Sequence, residues 1–299
     1  MAGPDIPPIL HDGLGRTPAG RAWIDRLPDL VARAVRRWDL TLGPPFVSGA
    51  SSWCAPGTTA GGRAVVVKVS FPHDEARDEV VALRAWHGHG VPELLAADAD
   101  DWALLLERVD PGTALADATG TPDERLEIGV GVARVLWAVP DVPPVPLLAD
   151  VCAGWAGLLE ERGARHNADP GLVRDAADLL RTLPAQGTAL VHGDLNPGNL
   201  LDAGGRWLAI DPKPMRGDPA YDLWPLLEQV DDPFAHADPA GVLRSRVRVV
   251  AGDLDPARIG AWGLARCTES ALWVWDELGD EPGARRTLAQ AAVWARLAR

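Results

Sequence analysis

The stretch Leu190-Val191-His192-Gly193-Asp194-Leu195-Asn196-Pro197-Gly198-Asn199-Leu200-Leu201, continuing through Asp202-Ala203-Gly204-Gly205 to Trp207-Leu208-Ala209-Ile210-Asp211, decides how this chain is read. Leu200-Leu201 and Trp207 to Ile210 are short apolar runs, and the Asp-Ala-Gly-Gly segment between them has the composition of a tight turn. The spacing predicts a loop followed by a hairpin. Asp194 falls in the loop, Asn199 five residues later, and Asp211 twelve residues after Asn199. A hairpin closes with its two outer ends side by side, so Asn199 and Asp211 are expected as neighbours, with Asp194 in the preceding loop.

Two oxygen donors at such a tip suit a hard octahedral cation such as Mg²⁺, which keeps waters and takes its remaining ligands from phosphates. A further carboxylate facing the same phosphate completes the layout of phosphoryl transfer. That reaction asks the protein to align a hydroxyl and neutralise charge rather than to do covalent work. On this reading Asp194 accepts the hydroxyl proton, a contribution typically worth ~10²–10⁴-fold. A lone His-Gly-Asp would read as a turn and a lone Asn199 as a cap. Joined by the spacing, the hairpin and the second Asp, they point to a kinase.

Composition agrees. The 299 residues have room for two medium domains or one two-lobed domain. Hydrophobic residues at 47% and charged residues at 24% exclude a disordered or fibrous chain. No run approaches the ~18 apolar residues of a membrane span. Met1 to Leu10 lacks a positive charge followed by an apolar run, so neither a membrane partner nor an export signal is expected. Cys54, Cys152 and Cys267 form no close pair, which argues against a disulfide framework and fits a reducing cytoplasm. A net charge of −13 disfavours a nucleic-acid partner, attracts cations and serves solubility. Of 29 basic residues only Lys68 and Lys213 are lysines, and only Asn167, Asn196 and Asn199 are asparagines. In a chain so biased towards arginine, each of these hints at a role.

Along the chain, Thr17-Pro18 reads as the start of a helix that runs to about Trp38 and breaks at Pro28. Phe46 to Trp53 and the valine-rich Ala64 to Ser70 read as hairpin arms, with a small-residue loop on the first and a turn-rich patch between them. Asp74 to His87 is helical, with Glu75, Glu79, Leu83 and Trp86 near one face. Trp102 to Val109 is another buried strand. After Pro122 helices dominate, interrupted by one strand island from Thr188 to Ile210. The expected fold class is α+β and two-lobed. A β-rich N-terminal lobe with a helical extension spans 1–106, and a larger, mostly helical lobe spans 107–299.

With these motifs in place, the chain resembles the aminoglycoside phosphotransferases, relatives of the eukaryotic-type protein kinases. Within them it is most similar to the branch of streptomycin and hydroxyurea phosphotransferases. Ile210-Asp211-Pro212-Lys213-Pro214 and Gly217-Asp218-Pro219-Ala220-Tyr221-Asp222-Leu223 carry that finer likeness, with Val67-Lys68-Val69-Ser70-Phe71-Pro72-His73 and Leu104-Leu105-Leu106-Glu107-Arg108. The resemblance implies ATP and Mg²⁺ as cofactors. It makes Lys68 the strand lysine on the α- and β-phosphates and Glu79 the helix carboxylate that pairs with it, with Glu75 one turn earlier as competitor. Ser48 to Trp53 matches the nucleotide-covering loop, where Ser51 and Ser52 stand in place of most of the glycines. Glu107 and Val109 match the connector whose backbone binds adenine. Asp194 becomes the catalytic aspartate, and Asn199 and Asp211 the metal ligands. His192 and Asp222 are then braces of the catalytic loop. Lys213 is left between the γ-phosphate, a substrate and simple charge neutralisation.

The resemblance also implies a small cationic polyhydroxy substrate such as streptomycin, and a protein acting as monomer or dimer. Acidic and aromatic residues of the later helices, Asp231, Asp232, Glu269, Trp273, Trp275, Asp276 and Glu277, are candidates for its guanidinium groups. Their competing reading is helix core for Trp273 and Trp275 and a solvated face for Asp276-Glu277. Alternative functions are a kinase of the same fold for hydroxyurea or a host metabolite, and a non-catalytic nucleotide-binding regulator. A protein kinase is disfavoured, because Ile-Asp-Pro stands where Asp-Phe-Gly is needed and no Ala-Pro-Glu follows.

Overall fold

The computed structural model describes residues 4–47, 49, 51–185 and 187–298. Most of its longer helices start in one way. An Asp or Thr stands immediately before a proline, and its side chain accepts backbone N–H groups of the first turn. The proline fills the first helical position, where its missing N–H costs nothing. Thr17, Thr121, Asp169, Asp238 and Asp255 all do this. The chain divides into two units. One runs from the N-terminus to Gly112 and takes in Asp202–Lys213; the other comprises Thr113–Leu201 and Pro214–Arg299.

The first unit is built on an antiparallel sheet of β1 (Leu40–Leu42), β2 (Ser52–Thr59), β3 (Ala64–Ser70), β4 (Leu94–Asp98) and β5 (Ala103–Glu107), in the order β1-β2-β3-β5-β4. Helices α1 (Pro8–Asp12) and α2 (Pro18–Trp38) cover one face. There Leu10, Trp23, Leu27 and Val31 pack with Trp53, Val65, Val67, Val69 and Leu105. Helix α3 (Asp74–Trp86) follows β3. Two expectations are corrected here. Helix α2 runs unbroken through Pro28. Burying Leu27, Leu30 and Val31 across that turn, at about 1.5–3 kcal/mol each, outweighs the ~3 kcal/mol proline penalty. The turn-rich patch after Trp53 is mostly strand, because β2 pairs with the valines of β3 along its whole length. Pro56, which has no N–H to give the sheet, accepts the Gly43 N–H on its carbonyl at 2.8 Å.

The second unit carries helices α4 (Pro122–Trp137), α5 (Leu148–Arg165), α6 (Pro170–Thr182), α7 (Leu223–Gln229), α8 (Pro239–Ala251), α9 (Pro256–Leu278) and α10 (Glu281–Trp294). A short strand β6 (Ala189–Val191) pairs antiparallel with β9 (Met215–Gly217), a strand the sequence reading lacked. Between β6 and β9 in sequence, the expected ribbon pairs β7 (Leu200–Asp202) with β8 (Trp207–Ala209), and β8 belongs to the segment counted with the first unit. Its turn is closed by the Ala203 N–H on the Arg206 carbonyl at 2.7 Å. Among the described residues, no helix is long and apolar enough to cross a membrane.

Candidate functional site

In the first unit, β3 sends Val65, Val67 and Val69 into the core, and strand alternation therefore puts Lys68 on the opposite face. There Lys68 Nζ donates to both oxygens of Glu79, at 2.7 and 2.8 Å, and to Asp211 Oδ1 at 2.7 Å. Lys68 and Glu79 are both buried. Burial alone would lower the lysine pKa, but the carboxylates of Glu79 and Asp211 outweigh it, and the net direction is up. The ammonium is thus held charged. Asp211 takes the left-handed backbone conformation, φ 58°, which a short polar side chain tolerates. Glu75, the competitor for Lys68, is instead largely exposed, 4.0 Å from His73 Nε2.

A cavity beside Lys68 is lined by Ser51, Ser70, His73, Glu75, Asp211 and Lys213, among others. Ser51 and Lys213 therefore share a wall with Lys68. Ser52 is buried, and its Oγ lies 3.7 Å from Cys54 Sγ. Cys54 sits across from Lys68 in the β2–β3 register, and burial pushes its thiol up to about 11, so it stays protonated. Ser48 and Ala50 of the expected nucleotide-covering loop lie outside the described residues. At the connector, the Glu107 N–H donates to the Glu93 carbonyl at 2.8 Å, and its carboxylate accepts from Arg206 at 2.7 Å. Val109, half-buried, lies just past the end of β5.

In the second unit, the loop after β6 is organised around Asp222. Its Oδ2 accepts the His192 N–H and Trp137 Nε1–H, and its Oδ1 the Gly193 N–H, each at 2.8 Å. Gly193 adopts φ 84°, a conformation open to glycine at no steric cost. Asp222 is fully buried, and desolvation pushes its pKa up to about 6 against these donors. His192, also fully buried, accepts the Asp194 N–H on Nδ1 at 3.3 Å. Asn196 Nδ2 donates to Asp194 Oδ1 at 3.0 Å, and its own Oδ1 accepts from Gly198 N and Asn199 N. Asn199 Nδ2 donates to the Asp194 carbonyl at 2.9 Å.

Asn199 Oδ1 in the second unit, and the Asp211 carboxylate in the first, are each hard oxygen donors of the kind Mg²⁺ takes. Among the described residues no group of three or more His, Cys, Asp or Glu could hold a metal by itself. The sequence marks Asn196 only by its scarcity, without assigning it a place in the site, and does not mark Trp137.

The acidic residues of the later helices are already engaged. Asp276 accepts from Arg165 at 2.5 and 2.7 Å, and His166 Nε2 lies 3.0 Å from it. Glu277 pairs with Arg162 at 2.8 Å and Glu269 with Arg266 at 2.6 Å. Asp231 pairs with Arg246 at 3.1 Å, and Asp232 caps the Phe234 N–H at 2.9 Å. Trp275 stacks on His166, with ring centroids 4.7 Å apart. Trp273 is 42% exposed rather than core. Asp276 is an internal counter-ion rather than part of a solvated face.

Residues 37–279 match the model of a family described as aminoglycoside/hydroxyurea antibiotic resistance kinase. A streptomycin 6-kinase of Streptomyces glaucescens is 36% identical over 283 residues, covering 91% of each chain. A hydroxyurea phosphotransferase of Kitasatospora aureofaciens is 36% identical over 284 residues, covering 92% of this chain and 81% of that one. Among solved structures, an aminoglycoside phosphotransferase in ternary complex with ADP and hygromycin B aligns with a TM-score of 0.60 at 16% identity, covering 89% of this chain and 97% of that one. The last likeness is one of fold.

Proposed function

The chain belongs to the aminoglycoside/hydroxyurea antibiotic resistance kinase family, and from that premise we propose that it transfers the γ-phosphoryl group of ATP to a hydroxyl of an aminoglycoside such as streptomycin. The observation that carries this reading is the loop around Asp194, pinned from behind by Asp222 and from the side by Asn196. A carboxylate held this way is oriented before substrate arrives. Asp194 takes the proton of the acceptor hydroxyl as its oxygen attacks phosphorus. Lys68, held charged by Glu79, contacts the α- and β-phosphates, and Ser51 and Lys213 line the same wall. Glu107 and Val109 offer backbone groups to the base. Asn199 and Asp211 are the residues that would hold Mg²⁺, which neutralises phosphate charge when bound.

The net charge of −13 favours a cationic polyhydroxy acceptor. Three free cysteines fit action in a reducing cytoplasm, as a monomer or dimer. The equal identity to a hydroxyurea phosphotransferase supports a second reading, with hydroxyurea as acceptor. The test is ADP release from MgATP by wild type and Asp194→Ala with streptomycin, other aminoglycosides and hydroxyurea, with mass spectrometry of the products. A phosphate mass gain on streptomycin that is lost in the variant is expected. A gain on hydroxyurea alone selects the second reading. ATP binding without turnover of any acceptor removes both and leaves a host metabolite or a regulator.

A further inference from the structure

Helix α3 borders two cavities. The one beside Lys68 belongs to the site described above. The second, of about 320 Å³, opens between α3 and strands β4 and β5. Its walls are apolar: Val80 and Val81 from the helix, Ala97 from β4, Trp102 and Leu104 on the β5 side. Ser70 and Ala76 line both cavities. Trp102 sits at φ 52°, where a bulky side chain is an outlier. Its carbonyl accepts the Ser70 N–H at 2.9 Å, so the ring at the cavity wall is held by an enforced backbone.

Charge around the rim is unequal. Asp98 is matched by Arg37 at 2.8 Å, and Arg77 by Asp74 at 3.0 Å. Arg84 lies two helical turns beyond Arg77, so both fall on one face of α3. Arg84 is exposed, and no salt bridge to it is formed among the described residues. The rim therefore offers one uncompensated guanidinium beside an apolar space.

We propose that this cavity binds a small amphipathic organic anion, with an aromatic or short apolar body against Val80, Val81, Leu104 and Trp102 and one acidic head on Arg84. Such a ligand removes apolar wall from water while satisfying a lone cation. The cavity exists in the conformation in which Glu79 holds Lys68. A ligand that selects this conformation stabilises it, and the effect is reciprocal with whatever Lys68 binds. Val80 and Val81 directly follow Glu79 in α3, so an occupant braces the stretch of helix that carries the glutamate. This coupling rests on Lys68 contacting the nucleotide, as proposed above; the binding itself does not.

The test uses anilinonaphthalene sulfonate, an aromatic body with one sulfonate, titrated into the full chain and followed by fluorescence. Saturable single-site binding is expected. Ala97→Leu, which fills the space from β4, abolishes it. Arg84→Glu, confined to the exposed rim, weakens it about 10-fold or more and decides the matter alone if the first variant does not fold. By calorimetry, ATP affinity rises about 5-fold with the probe bound. Competition between ATP and the probe, or binding indifferent to both substitutions, overturns the site. Unchanged ATP affinity overturns the coupling. If ATP fails to bind while the probe still responds to both substitutions, the kinase reading falls and the site stands.

Discussion

The Asp222 carboxylate receives the Gly193 N–H on one oxygen and the His192 N–H on the other, both at 2.8 Å, from a loop nearly thirty residues away in sequence. Two successive backbone amides are thereby locked just ahead of Asp194. Asp222→Asn keeps the shape but turns one acceptor into a donor facing an N–H. Losing one hydrogen bond to a charged group costs about 1.5–3 kcal/mol, so kcat is expected to fall about 10–100-fold with little change in the KM for ATP. Steady-state kinetics with both substrates varied checks this.

The same carboxylate has a pH signature. Burial raises its pKa to about 6, above the ~3.9 of an unfolded aspartate. Between these values the folded state binds the extra proton, so stability falls as pH rises through the window. Relative to Asp222→Asn, wild type is expected to lose about 2 kcal/mol between pH 4 and pH 7. Denaturant unfolding of both proteins at several pH values tests this. A gap that stays constant would show that Asp222 ionises normally.

Lys68 and Glu79 form a buried pair in which both members are needed. Lys68→Met leaves a carboxylate with its main counter-charge gone, at a cost of about 3–5 kcal/mol. The double variant Lys68→Met/Glu79→Met removes the charge as well. It is expected to regain much of that stability while remaining inactive. A double-mutant cycle on unfolding, read beside turnover, separates the structural role from the catalytic one.

Asp276 tests a different use of charge. Arg165 first, then His166, hold its pKa down to about 2. A lowered carboxylate pKa contributes stability that is present above about pH 4 and lost as pH falls towards 2. Asp276→Asn should therefore be less stable than wild type at pH 7, with the gap closing below pH 4. Unfolding curves at pH 7, 5 and 3 check the sign.

Gly263 lets α9 and α10 meet. A β-carbon there would stand 2.3 Å from the Trp294 ring. Trp294 is fully buried, and its Nε1–H donates to Glu228 at 2.6 Å. Gly263→Ala is expected to destabilise by about 1–3 kcal/mol through overpacking. Gly154, inside α5 with nothing within 4 Å, is the control. There alanine should stabilise by about 0.4–1 kcal/mol. Thermal unfolding of the two variants should move in opposite directions.

What was legible in the amino acids was what short-range contacts decide. The Thr17-Pro18 helix start, the β7–β8 ribbon and the valine strand with Lys68 on its minority face follow from caps, turn residues and alternation. Each depends on neighbours a few positions apart. Pro28 was misread because its local penalty is visible in sequence, whereas the burial that outweighs it comes from β2, β3 and β5. Strand β9 was missed because three residues after a proline-rich stretch carry no period, and only pairing with β6 makes them a strand.

By itself, the sequence determined the α+β class and the candidate residues of the phosphoryl-transfer chemistry, because these rest on spacing within single segments. Tertiary structure decided which carboxylates are engaged. Glu79 rather than Glu75 meets Lys68, and Asp276, Glu277 and Glu269 are matched to Arg165, Arg162 and Arg266. Pairing of charges depends on which side chains converge after the chain has folded. Positions 162 and 277 are distant in sequence, and no local pattern records that their side chains end 2.8 Å apart.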